Sequence, residues 1–170
     1  MNQEAASPSA VSNVEHSTDA ILHGGPLACP PTYPATLGDA LHRAALGGKR
    51  IIFVNDGGDD SPLTYAALLD KAGVALGGLQ ALGVKPGDKI ILQLEGLEEF
   101  LVVFWACVLG GMVPVPVLPF RNALESDSAF KKLQGIAVQL DAPVILMSDR
   151  NAALIAEAQA ERAAAGQPPL

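Results

Sequence analysis

The sequence predicts an α/β fold, a largely parallel sheet flanked by helices on both faces. Three observations carry that expectation. Segments of helical periodicity alternate with short apolar runs along most of the chain. The connections between them are short, as in successive βα units of a parallel sheet. The runs themselves (RIIFV, KIILQL, VPVPVL, PVILM) are apolar nearly throughout. Strands covered on both faces have that character, whereas half-exposed strands alternate.

The elements follow in order. Residues 1–20 are rich in Ser, Ala and Asn without period, so a disordered leader is expected there, ahead of one α/β region over residues 21–170. Thr36 is placed to cap a helix whose stripe is Leu37, Ala40, Leu41 and Ala44, ended by Gly47-Gly48. Arg50 to Asn55 reads as a strand, closing a hairpin through the Asp- and Gly-rich loop 56–60 onto Pro62-Leu63-Thr64. Thr64 is a second N-cap, opening a helix over Tyr65 to Leu82. Gly83 sits where a helix-ending glycine belongs. Lys85-Pro86-Gly87-Asp88 has Pro before Gly, as a type II turn favours, and leads into a strand over Lys89 to Leu94.

Phe100 to Pro119 is the most apolar stretch of the chain. Its first half is apolar on every side, which predicts a helix buried all round, running to about Leu109. Glu98 and Glu99 precede it and oppose the positive end of the helix dipole. Gly110-Gly111 breaks it. Val113 to Leu118 is extended, and its alternate prolines point to an edge strand or a strand end. A helix capped by Ser126 or Asp127 follows, with Phe130, Leu133, Ile136 and Leu140 on one face. Pro143 to Met147 is a short strand, and Asp149 to Ala165 an alanine-rich helix.

Composition narrows the function classes. The chain has 170 residues, 49% hydrophobic and 17% charged, which is globular rather than disordered. A net charge of −7 with only 11 Lys and Arg lacks the basic face that nucleic-acid phosphates require, so no nucleic-acid partner is expected. The uncharged run from Phe100 to Phe120 is long enough to span a bilayer. Pro114, Pro116, Pro119 and Gly110-Gly111 would interrupt a spanning helix repeatedly, so no membrane segment is expected. Residues 1–18 lack the features of a signal peptide, and a cytoplasmic location is expected. The two cysteines, Cys29 and Cys107, are far apart and lack zinc-site spacing. Cys107 reads as a buried structural thiol.

A search for catalytic chemistry finds little. No GxGxxG or Walker-type loop follows a strand, so no phosphate cradle is evident. His16, His23 and His42 lie in the leader or on the first helix. No catalytic or metal-ligating residue is assigned. Arg121, Lys131 and Lys132 form a small basic group after the long apolar stretch, where a solvated helix face is the ordinary reading.

The wording of three segments goes further. Leu63-Thr64-Tyr65-Ala66-Ala67-Leu68, then Leu82-Gly83-Val84-Lys85-Pro86-Gly87-Asp88-Lys89-Ile90, then Phe104 to Pro116, resemble the start of an adenylate-forming enzyme. That superfamily includes acyl-CoA synthetases, adenylation domains of nonribosomal peptide synthetases, fatty acyl-AMP ligases and luciferases. The resemblance covers about Leu22 to Ala165. It implies the first portion of the large N-terminal domain of such an enzyme, with the proline-punctuated end of the Phe100 to Pro119 stretch as a central or near-central strand of its sheet. Within the superfamily, FWACVLGGMVPVPV and the GGPL lead-in look most like acyl-AMP ligase modules fused to polyketide or nonribosomal peptide synthases. The tail Val117-Leu118-Pro119-Phe120 lacks the Asp usual in amino-acid adenylation domains.

The resemblance implies a parent that activates a carboxylic, fatty-type acid as acyl-AMP with ATP and Mg²⁺, then passes it to a pantetheine thiol on a carrier protein or CoA. It implies that Arg121, Lys131 and Lys132 lie near the CoA or pantetheine phosphates, although no motif match fixes them. The "TGxPKG"-like phosphate loop and the downstream nucleotide motifs are absent from these 170 residues. The chain alone is therefore expected to bind no cofactor and to be inactive. Its expected partners are the remainder of the adenylation domain, an acyl carrier protein for the parent, and a second copy through an exposed apolar face. The alternative is a docking module or split-enzyme subunit.

Overall fold

The structure, a computed structural model, describes residues 25–26, 30, 32–54, 58–120, 126–141 and 143–166, with backbone alone at 126 and 127. The chain divides into two compact units, Met1–Tyr33 and Pro34–Leu170. In the first, the Tyr33 N–H closes a turn onto the Pro30 carbonyl at 2.9 Å. The expected leader and the expected caps of the fourth helix lie outside the described residues or side chains.

The second unit runs α1 (Leu37–Leu46), β1 (Arg50–Phe53), β2 (Ser61–Thr64), α2 (Tyr65–Ala81), β3 (Lys89–Gln93), α3 (Leu97–Leu109), β4 (Val113–Pro116), α4 (Ser126–Gln139), β5 (Val144–Met147) and α5 (Asp149–Ala164). Local chemistry accounts for several boundaries. Thr36 and Asp39 form a reciprocal capping box at the start of α1. The Thr64 hydroxyl accepts from the Ala67 N–H at 3.1 Å at the start of α2. Gly87 has φ +89°, and the Asp88 N–H reaches the Lys85 carbonyl at 3.1 Å. This is the type II turn that Pro-Gly favours, because only glycine takes positive φ there without strain.

Two sheets result. β1 and β2 pair antiparallel, Arg50 opposite Thr64 and Phe53 opposite Ser61. β3 pairs parallel with β4 on one side and β5 on the other, giving the order β4-β3-β5. Ile90 and Leu92 of β3 pack against α2 and α3, with Ala72, Leu79, Ala106 and Cys107. Ile91 points the other way, into a cluster with Phe120, Leu133, Ile145 and Leu154 under α4 and α5. The chain crosses from β3 to β4 by α3 on one face. It returns over β3 to β5 by α4 on the opposite face. Right-handed crossovers running in opposite directions across a sheet require that arrangement. A third cluster, Leu41, Phe53, Leu63 and Leu68, joins α1, the hairpin and α2.

Two expectations are corrected. The helix from the most apolar stretch is not buried all round: in α3 only Ala106 and Cys107 are buried, and Leu97 is 61% exposed. It lies on the outside of the sheet, so one face meets two core clusters and the rest is partly covered. The VPVPV run is an edge strand of the described sheet, and β3 is the central one. The prolines explain this. The N–H groups of Val113 and Val117 donate to the carbonyls of Asp88 and Leu92 at 2.9 Å. Odd positions thus supply donors to β3, while Pro114 and Pro116 fall at the even positions that face away from it. Their missing N–H groups cost the ladder nothing on that side. Strand ends also fall short of the expected ones. β1 is as long as the four-residue β2 that pairs it.

Candidate functional site

In an open α/β sheet, ligands bind beyond the carboxyl ends of the strands, where the strand order reverses. Here that point lies beyond β3, between the chain leaving β4 and the chain leaving β5. A cleft of about 830 Å³ occupies it, lined by Glu95, Pro116–Phe120, Ala129, Lys132, Ile136 and Arg150. Its walls are mainly apolar. Arg150, on the first turn of α5, pairs with Glu95 at 3.2 Å across the mouth. Both side chains are substantially solvated, so the pair orients the rim more than it stabilises it.

Beneath the cleft the three strand ends are tied by polar groups. The Gln93 carbonyl, at the end of β3, accepts from the Ser148 N–H at 3.3 Å and from Asn151 Nδ2 at 3.4 Å. Gln93 Nε2 donates to the Leu118 carbonyl at 3.3 Å. Gln93 and Asn151 are both fully buried. Gln93 lies two residues after Ile91 and so shares its face of β3, the one under α4 and α5. Ser148 is the N-cap of α5 but makes no side-chain cap bond.

Of the residues singled out from the sequence, Lys132 lies on the cleft and Lys131, also exposed, does not line it. Arg121 lies outside the described residues, as do His16, His23 and Cys29. His42 lines a shallow depression between α1 and α2, away from the cleft. Glu98 pairs with Lys71, linking α3 to α2 at the surface. Cys107 is buried, and desolvation pushes its thiol up to about 11. Among the described residues no helix is long and apolar enough to cross a membrane. Gln93, Ser148, Arg150 and Asn151 were not evident from sequence reasoning. The available signal was a polar residue ending an apolar strand, and the Ser-Asp-Arg-Asn run after the next one.

The fold and site can now be set beside known proteins. The model of the AMP-binding enzyme family matches residues 41–168.

The chain belongs to the AMP-binding enzyme family.

As a segment of that family it is 37% identical over 90 residues to triostin synthetase I of Streptomyces triostinicus, covering 52% of this chain and 16% of that protein. It is 36% identical over 92 residues to the medium-chain fatty-acid–CoA ligase of Escherichia coli (strain K12), covering 54% and 16%. Among solved structures it resembles McyG A-PCP complexed with phenylalanyl-adenylate, with a TM-score of 0.69 and 30% identity over 79% of this chain and 21% of that one. The AMP-binding segment thus spans about a sixth of the curated relatives it matches. Its fold is the N-terminal portion of an adenylation domain.

Proposed function

We propose that this chain is the opening segment of a ligase that activates a carboxylic acid of the fatty type as its acyl-adenylate, for transfer to a pantetheine thiol on a carrier protein or CoA. The observation that carries this is the family match over residues 41–168. The identity to a medium-chain fatty-acid–CoA ligase supports a fatty acid, and the likeness to an adenylate-bound structure supports the reaction class.

ATP and Mg²⁺ belong to the parent in this reading, and the residues here do not fit them. Phosphate transfer needs a cradle of backbone N–H groups and a metal held by carboxylates. The sequence has no such loop, and among the described residues no group of three or more His, Cys, Asp or Glu gathers. This segment contributes scaffold. Of the basic group Arg121, Lys131 and Lys132, the position of Lys132 on the cleft supports a role for that lysine beside the phosphates of the thiol carrier.

A second reading, a split-enzyme subunit or docking module, is favoured by apolar side chains on outer strand positions. Ile52, Val113 and Val144 are 56%, 48% and 38% exposed. In both readings the rest of an adenylation domain, or a second copy, covers such exposed apolar positions.

The test is ATP–pyrophosphate exchange with fatty, aromatic and amino acids, on the 170-residue chain and on the longest polypeptide that contains it. Exchange is expected only in the longer polypeptide and fastest with fatty acids. Exchange by the chain alone, or a preference for amino acids, would overturn the reading.

A further inference from the structure

The two edges of the parallel sheet differ in backbone chemistry. In β4 the N–H groups of Val113 and Val117 face β3. Its outer edge falls to Pro114 and Pro116, which have no N–H to offer another strand. β5 forms the other edge. Its Leu146 pairs with Leu92, and the Ser148 N–H that follows donates to the Gln93 carbonyl at 3.3 Å. Even positions therefore face β3, and Ile145 and Met147 turn both N–H and C=O outward. No described strand lies beyond them. β5 is also thinly covered for its composition. It reads VILM, yet none of its four residues is buried, whereas Ile90, Ile91 and Leu92 of β3 are 0% exposed. A parallel strand that is apolar at every position has the character of one enclosed in its sheet.

The helices indicate the side on which the sheet continues. Phe130 and Leu133 of α4 share one cluster with Leu154 and Ile155 of α5 and with Ile91, so both helices cover the same face. α4 carries the chain from β4 across β3 to β5. Right-handed crossovers on one face all run in the same direction. A parallel strand reached through α5 therefore lands beyond β5, away from the edge that the prolines close. Handedness and proline placement are independent features, and they select the same edge.

We propose that the outer edge of β5 is the docking edge for a parallel β-strand supplied by the stretch of adenylation domain that follows α5, with Ile145 and Met147 exchanging backbone hydrogen bonds with it. The inference rests on the reading of this chain as the opening segment of a ligase. A second copy fits less well, because hydrogen-bonded two-fold pairing of like edges is antiparallel, whereas a crossover through α5 delivers a parallel strand. Parallel pairing sets the carboxyl end of the new strand level with that of β5. The residues after it then border the cleft on the side of Arg150.

Backbone hydrogen exchange tests this, read at single amides by mass spectrometry with electron-transfer fragmentation. The samples are the 170-residue chain and the longest polypeptide that contains it. In the dilute chain Ile145 and Met147 should exchange about 100-fold or more faster than Leu146, whose N–H faces β3. In the longer polypeptide their exchange should slow by about 100-fold or more, because exposing them then requires breaking a paired strand. Protection already present in the dilute chain, or fast exchange in both samples, overturns the proposal. Protection of the chain that grows with its concentration also overturns it and assigns the edge to a second copy. ATP–pyrophosphate exchange in the same longer polypeptide separates the two readings. Fast amide exchange in a polypeptide that forms acyl-adenylate overturns the strand and leaves the ligase reading standing. Protected amides in one that forms none support the strand and overturn the ligase reading.

Discussion

The central strand β3 and the helix α3 next to it invite opposite readings from sequence and structure. α3, LEEFLVVFWACVL, is the more apolar segment, yet two of its thirteen residues are buried. β3, KIILQ, carries a lysine and a glutamine, and four of its five residues are buried. Layer order explains the difference. A central strand has helices on both faces and strands on both edges, so every side chain after the first is enclosed, Gln93 included. A helix outside the sheet has one inward face. The apolar remainder of α3 is partly covered by Phe100, Phe104 and Trp105 packing on each other and on α2, with Phe104 and Trp105 edge to face at 5.9 Å. Hydrophobicity marks which segments belong in the domain. Position in the layers decides how much of each is enclosed.

Substitutions can break this contrast. Ile91→Ala in β3 removes a fully buried side chain shared with Phe120 and Leu133. A loss of about 3 kcal/mol is expected in urea unfolding. At the end of α3, Gly110→Ala would place its Cβ 2.5 Å from Leu76 Cδ1. The flexible end of that leucine has to shift, so a loss of roughly 1–2 kcal/mol is expected by the same measurement.

The buried face of α3 has a signature of its own at Cys107. Burial raises its thiol from an ordinary value of 9.0 to about 11. Below pH 9 both folded and unfolded forms hold the proton, and the fold keeps its full stability. Above it the unfolded thiol ionises first, so stability should fall between about pH 9 and 11. Cys107→Ala should flatten that slope, read from the pH dependence of the denaturant midpoint. Cys107 in the folded chain should also react slowly with a thiol reagent at neutral pH, read in a Cys29→Ser background.

The outer face should respond least. Lys71→Gln removes the partner of Glu98 between side chains that are 53% and 41% exposed, and a change under about 0.5 kcal/mol is expected. A large effect there would show that α3 depends on its rim as much as on its core face.

Much of the fold was legible because its signals are local. Thr36 and Thr64 cap helices through their own hydroxyls, Pro86-Gly87 makes its turn from its own dihedrals, and the prolines of VPVPV exclude a strand bonded on both sides. The site was far less legible. Gln93, Leu118, Ser148 and Asn151 lie up to 58 residues apart and meet only because β4 and β5 flank β3. Nothing in their spacing announces that meeting. Lys131 and Lys132 were equally visible as neighbours, but the phase of α4 sets only Lys132 on the cleft.

By itself, then, the sequence determined the ten elements, their order, the N-caps of α1 and α2, the Pro86-Gly87 turn, and a parallel sheet with helices on both faces. These follow from propensity, periodicity and backbone chemistry, which act over a few residues. The tertiary structure alone decided which strand is central, which apolar helix stays half open, and which amides meet beneath the cleft. Those outcomes depend on which distant segments share a layer. Burial, desolvation and hydrogen-bond satisfaction are properties of that shared space rather than of any one stretch of chain.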